Sequence, residues 1–192
     1  MKYFLTTARL GFRCWSEDDL PLAAELWGDS GVMALMGGPL DVGRVRGRLE
    51  EEIAHVRDFN FQYWPFFLLR GNRFAGCAGL RPRGHQTRPE PTDRAFQMGY
   101  HLLPAFWGQG IATEAAQAVI DHSFASLGAE TLFAAHHPQN ERSRRVLLKL
   151  GFTAAGTEFY PPTGLMHPSY LLTRNEHGNT LLSAGGGVEP GE

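Results

Sequence analysis

Only two of the 192 residues are cysteine, Cys14 and Cys77. Both fall in segments that read as strands, so they read as core thiols rather than a disulfide, and the chain as intracellular. No apolar run is long enough to span a bilayer, and Met1-Lys2-Tyr3-Phe4 does not begin a signal peptide. The net charge of −2 lacks the basic excess that general nucleic-acid binding needs. There is no internal repeat. What remains is a cytoplasmic globular chain, 43% hydrophobic, of a length that suits one domain with a sizeable core. Residues 183–192, rich in glycine, have nothing to bury and read as disordered. The domain is accordingly drawn at residues 1–176, with a flexible tail over 177–192.

Periodicity orders the rest. Residues 9–15 alternate as a first strand. Ser16 caps a helix whose first turn holds Asp18 and Asp19 and whose apolar side is Leu20, Ala23, Ala24 and Trp27. Asp41 caps a second, with Val42, Val45, Leu49, Ile53 and Val56 at helical spacing. Within it, Glu50-Glu51-Glu52 reads as a solvated face rather than a patch for a basic partner. Residues 64–69 and 73–80 flank the hairpin turn Arg70-Gly71-Asn72, and 81–93 read as an exposed loop. Strands over 94–103, 131–135, 152–159 and 169–173 alternate with helices over 109–127 and 140–150. Hairpins imply antiparallel pairing and strand–helix–strand crossings a parallel part, so the expected fold is α/β (α+β) with a mixed, mostly antiparallel sheet.

Two segments carry chemistry. In the first, a strand ending at Leu103-Pro104 leads through Trp107-Gly108-Gln109-Gly110-Ile111-Ala112-Thr113 into an alanine-rich helix. Gly108 and Gly110 let the backbone approach a ligand closely, and the helix points its unpaired N–H groups and positive dipole end at the same place. Phosphate binds such a construction. The second segment, Asn140-Glu141-Arg142-Ser143-Arg144-Arg145-Val146-Leu147-Leu148-Lys149-Leu150-Gly151-Phe152, is a helix with an N-cap asparagine and a glycine suited to its left-handed end.

Together these segments resemble the GNAT superfamily of acyl-CoA-dependent N-acetyltransferases. Trp107 stands where many members carry Gln or Arg. That departure, with the downstream Asn-x-x-Ser-x-Arg-x-x-x-Lys-x-Gly-Phe, resembles the branch of ribosomal-protein N-terminal (alanine/serine) acetyltransferases. Thr7 to Arg13 and Met36-Gly37-Gly38-Pro39 are similar to that branch's opening strand and first interhelical loop. The element order β-α-α-β-β-β-α-β-α-β-β is that of the family.

The resemblance implies acetyl-CoA as cofactor and acetyl transfer to a primary amine, a protein N-terminus or a small molecule, by direct attack on the thioester. It implies backbone ligands for the pantetheine arm at His101, Leu102 and Leu103, and phosphate contacts at the N–H groups of Trp107, Gly108, Gln109, Gly110, Ile111, Ala112 and Thr113. It carries Asn140 over as a pantetheine ligand, with capping as its other role. Ser143, one turn later, or water is the candidate acid for the leaving thiolate, because Leu147 occupies the position where many members place a Tyr. Gln97, which cannot usefully accept a proton, stands where this branch often has Glu. His101 on the same strand is the candidate base, the alternative being an amine that arrives neutral or loses its proton through water. His136 and His137 are candidates for the acceptor pocket, drawn from residues 33–39, 81–93 and 159–168 with Met33, Met36, Phe159 and Tyr160. No metal site is expected, since no further ligands lie at suitable spacing. No membrane or nucleic-acid partner is expected, and a homodimer is admitted. The rival reading is an acyl-CoA-binding sensor or interaction domain without turnover.

Overall fold

The computed structural model describes residues 2–83 and 94–178. Strands β1 (Leu5–Thr6) and β2 (Leu10–Phe12) lead into α1 (Leu20–Trp27), α2 (Ser30–Met33) and α3 (Val42–Phe59). Strands β3 (Tyr63–Leu68), β4 (Arg73–Pro82) and β5 (Ala95–Leu102) follow, then α4 (Ile111–Ala125), β6 (Thr131–Ala135), α5 (Glu141–Lys149), β7 (Thr153–Tyr160) and β8 (Leu165–Thr173). They form one eight-stranded sheet in the order β1-β2-β3-β4-β5-β6-β8-β7. Every pairing is antiparallel except β5 with β6, as the crossover through α4 requires. The expected mixed sheet is thus present, with β1 and the short α2 added.

The helix ends follow local chemistry. Asp41 Oδ1 takes the Arg44 N–H at 2.9 Å, and α3 stops at Asn60 in the left-handed conformation. Asn140 Oδ1 takes the Ser143 N–H at 3.0 Å, and Gly151 beyond α5 has φ of 85°. Both caps are those the sequence implies.

Three expectations need correction. Cys14 is exposed, whereas Cys77 is buried. Strand β2 ends at Phe12, and Trp15 turns inward to donate its indole N–H to Tyr63 O at 2.7 Å, leaving Cys14 outside. Glu52 does not share the solvated face of Glu50 and Glu51. It is fully buried, taking the Tyr63 N–H at 2.7 Å and pairing with Arg81. Removing one partner of such a pair strands a charge in the interior and costs about 3–5 kcal/mol. The last strand begins at Leu165, four residues early, because β7 and β8 pair along their whole hairpin. Most of the expected loop over 81–93, and the tail from 179, lie outside the described residues.

Each face of the sheet has its own helices. On β5, His101 accepts the N–H of Trp27 from α1, and Arg81, opposite Gln97 on β4, pairs with Glu52 of α3. Tyr100, pointing the other way, reaches Ser143 of α5. Odd-numbered β5 residues therefore face α1 and α3, and Tyr100 faces α5. This division decides what the cleft between β5 and β6 receives from either side.

Candidate functional site

Strands β5 and β6 pair only where Ala95, Phe96 and Gln97 meet Thr131, Leu132 and Phe133. Beyond Gln97, β5 continues to Leu102 without β6 beside it, and the sheet opens into a wedge. Leu103 donates its N–H to Ala75 O at 2.9 Å. By antiparallel alternation His101 also turns its backbone groups toward β4, while Tyr100 and Leu102 turn theirs into the wedge. The backbone ligands expected at His101, Leu102 and Leu103 are thus shifted: only Leu102 keeps that orientation, and Tyr100 joins it. The carbonyl of Leu102 is already taken by the Trp107 indole N–H at 2.7 Å.

A cleft of about 1130 Å³ continues from this wedge across the glycine loop to the first turn of α5. Its lining takes in Leu102, Trp107, Gly108, Gly110, Ile111, Ala112 and Thr113, with Asn140 and Ser143 opposite. Gly108 and Gly110 have φ of 74° and 75°, a region that glycine enters without strain. The first intrahelical bond of α4 runs from Glu114 N to Gly110 O at 3.0 Å. The N–H groups of Ile111, Ala112 and Thr113 therefore have no partner within the helix. A phosphate chain fits such a cradle.

Two expected contributors differ from the rest: Trp107 has its N–H engaged elsewhere, and Gln109 is not on the cleft lining. Trp107 spends its backbone N–H on Pro104 O at 3.1 Å, so it supplies a wall, with the Arg142 guanidinium 5.2 Å from its ring centre. Gln109 folds its amide back to Ala105 O at 2.8 Å and gives its carbonyl to Arg9 Nη1 at 3.0 Å. Arg9 also clamps Glu114 of α4, whose carboxylate accepts from the Arg9 N–H and from Thr7 Oγ1. The loop is held from the far end of the chain.

Ser143 stands in the first turn of α5 with its Oγ 2.9 Å from Tyr100 Oη. Burial pushes the Tyr100 phenol up to about 12, so it stays protonated as a donor. Leu147, by contrast, is buried in the core and offers no proton.

His101 lies on the lining, but its ring is committed. Nδ1 accepts the Trp27 indole N–H at 3.0 Å. Burial, then the charges of Arg48 and Arg81, hold its pKa well below the usual range, which keeps the ring neutral and weakly basic. This placement does not suit the role of general base. His137 shares the side of the sheet on which Ala135 lies opposite Ser169, and its ring meets His167 at 5.4 Å between centres. There Glu158 accepts from Ser169 Oγ at 2.8 Å and pairs with Arg83 at 3.2 Å. His136 points the other way and stacks on Tyr170 at 5.4 Å. Two of the expected acceptor segments do meet: a Cβ on Gly37 would lie 2.8 Å from Pro162 O. Met33 is buried, Met36 and Tyr160 are part-buried, and Phe159 is exposed.

Sequence reasoning missed Tyr100, one residue from the His101 it singled out, and the pairing of Arg9 with Glu114. A strand with both faces covered gives no parity signal for the first, and 105 residues separate the second pair.

No helix of the described residues is long and apolar enough to cross a membrane. The profile of the acetyltransferase (GNAT) domain matches residues 9–153. An uncharacterized N-acetyltransferase, p20, from Bacillus licheniformis is 28% identical over 159 residues, which is 79% of this chain and 83% of that protein. Among solved structures, the ribosomal L7/L12 alpha-N-protein acetyltransferase RimL superposes with a TM-score of 0.73 at 20% identity, covering 90% of this chain and 94% of that one. The aminoglycoside acetyltransferase AAC(6')-Ib in complex with coenzyme A gives 0.74 at 20% identity, covering 90% and 99%. The chain belongs to the GNAT acetyltransferase family, whose members use acetyl-CoA.

Proposed function

We propose that this protein is an acetyl-CoA-dependent N-acetyltransferase that acts on a primary amine by direct attack of the neutral amine on the thioester. The observation that carries the reading is the continuity of one cleft: unpaired N–H groups at the start of α4 run into a wedge that exposes the backbone of Tyr100 and Leu102. The phosphates fit the first, and the pantetheine arm fits the second.

When bound, acetyl-CoA supplies an activated acyl group, which the amine nitrogen takes as the carbon–sulfur bond breaks. The protein's share is positional and electrostatic. A backbone N–H in the wedge is aimed where negative charge develops on the carbonyl oxygen. The loop 108–113 and Asn140 hold one reactant in place, which removes much of the entropic barrier. Ser143, backed by the protonated Tyr100, donates a proton toward the departing sulfur. His101 stays neutral and takes no proton from the amine, which loses it to water on the acceptor side. RimL is named for a protein N-terminus and AAC(6')-Ib for an aminoglycoside, so both acceptor types belong in the test.

Release of free thiol from acetyl-CoA, measured with peptides, amino acids and aminoglycosides, tests the proposal. Saturable release with one amine class is the expected result. Calorimetric CoA binding with no release from any amine would replace it by the sensor reading.

A further inference from the structure

Arg48, on α3, holds its guanidinium carbon 4.5 Å from the centre of the Trp27 ring. Its Nε is fully buried and has no hydrogen-bond partner, and no carboxylate among the described residues pairs with the group. The aromatic face attracts the charge but accepts none of its five N–H bonds. The neighbouring cation, Arg81, spends itself on Glu52, whose other oxygen is held by the Tyr63 N–H. Two guanidiniums therefore share one carboxylate. Glu51 adds a negative charge on the Arg81 side, while burial pushes Cys77 and Tyr63 up to about 12 and His101 is neutral. The Arg48 guanidinium is left without an ion-pair partner among the described residues, with Glu52 acting on it only at longer range. It sits one side chain from the wedge, since the Trp27 ring it covers donates to His101 on the cleft lining.

We propose that Arg48 receives a carboxylate carried by the acetyl acceptor, so that the substrate class is amino-carboxylates rather than polyamines or aminoglycosides. The inference rests on the acetyltransferase reading of the same site. A guanidinium and a carboxylate form paired, charge-assisted hydrogen bonds, and a carboxamide of the same shape loses that charge. A polycation meets repulsion instead. A free α-carboxylate and an acidic side chain near a peptide N-terminus offer the same group.

Two measurements test this on the whole protein. Calorimetry on the CoA-loaded protein compares N-acetylglycine, N-acetylalanine and N-acetylmethionine with their carboxamides. Thiol release from acetyl-CoA compares the parent amino acids with their amides, with serine amide and aspartate amide, and with spermidine. We expect the wild-type protein to favour the acid over the amide by about tenfold or more. Arg48→Gln should bring that ratio near one, and Arg48→Lys should keep part of it, with CoA affinity unchanged in both. Activity on aspartate amide above serine amide would assign the carboxylate to a side chain, and activity on free amino acids to the α-carboxylate; either supports the proposal. Because no ion pair is broken, Arg48→Met should still fold cooperatively, losing only its contact with the Trp27 ring and the longer-range attraction of Glu52, which supplies a second variant. Equal handling of acids and amides, a preference untouched by Arg48→Gln, or spermidine as the best acceptor would each overturn the inference while leaving the acetyltransferase standing. An Arg48-dependent preference for succinyl-CoA over acetyl-CoA would overturn it too, by assigning the charge to the donor. Arg48-dependent binding of the acids with no thiol release from any amine would leave the anion site and remove the enzymatic reading.

Discussion

Tyr100 Oη and Ser143 Oγ lie 2.9 Å apart, across the gap between β5 and α5. A tyrosine hydroxyl therefore reaches the first turn of α5 from the neighbouring strand, although Leu147 leaves α5 itself without one. The pair is a chain of two hydroxyls beside the cleft, and the proposed proton donation to the thiolate predicts its kinetics. Ser143→Ala should cut kcat by roughly 10²-fold, and Tyr100→Phe by less. The double variant should be no worse than Ser143→Ala alone, because the tyrosine acts through the serine. CoA affinity by calorimetry should change little. A fully additive double variant would separate the two residues.

Gly110 stands at φ of 75° with open space around an added Cβ, whose nearest neighbour would be Arg9 Nη2 at 3.6 Å. Crowding is therefore not the obstacle; the backbone conformation is. Gly110→Val should cost on the order of 1–3 kcal/mol of local strain and distort the loop that carries the unpaired N–H groups. CoA should bind about tenfold or more weakly to a variant whose core still melts cooperatively. Unchanged affinity by calorimetry would take the loop out of the cofactor site.

Asn140 both caps a helix and lines the cleft. Its Oδ1 caps α5 through the Ser143 N–H, while its amide nitrogen is available to the cleft it lines. Asn140→Asp keeps the cap and removes the donor; Asn140→Ala removes both and costs about 1 kcal/mol of stability. Both should raise the KM for acetyl-CoA, yet only the alanine variant should melt earlier. Normal kinetics in both would leave Asn140 a cap and nothing more.

His101 makes a statement about stability rather than catalysis. Burial, then the nearby Arg48 and Arg81, depress its pKa in the folded state well below the unfolded value near ~6.5. As pH falls below that unfolded value, the unfolded chain gains a proton that the folded one refuses. Stability supplied by neutral His101 is therefore complete above about pH 6.5 and is lost on acidification, with a slope of at most about 1.4 kcal/mol per pH unit. Denaturant melts between pH 7 and pH 5 should show a shallower acid loss for His101→Gln than for the wild-type protein. The acidic limb of the rate profile should follow the acceptor amine's own pKa and ignore the substitution. A limb abolished by His101→Gln would restore the histidine as the base.

The residues legible in advance are those whose roles are local. Gly108 and Gly110 mark a turn, Asn140 a cap and Gly151 a helix end, each through contacts within a few positions of itself. The order of elements followed equally, because hydrophobic period and turn chemistry are short-range. Glu52 shows where that reasoning stops. Its neighbours Glu50 and Glu51 are exposed, and only the arrival of Arg81 and the Tyr63 N–H makes it a buried anion.

Local pattern was enough for the strand–loop–helix cradle, the capped helix facing it, and hence the family and its cofactor. Long-range packing selected which β5 groups enter the wedge, since a one-residue change of parity exchanges His101 for Tyr100 and puts a hydroxyl where a candidate base was expected. It also decided that Arg9 braces Glu114, and that Arg48 packs its guanidinium on Trp27. Strand pairing and the burial of charge depend on partners far apart along the chain, and no local pattern encodes which of them will meet.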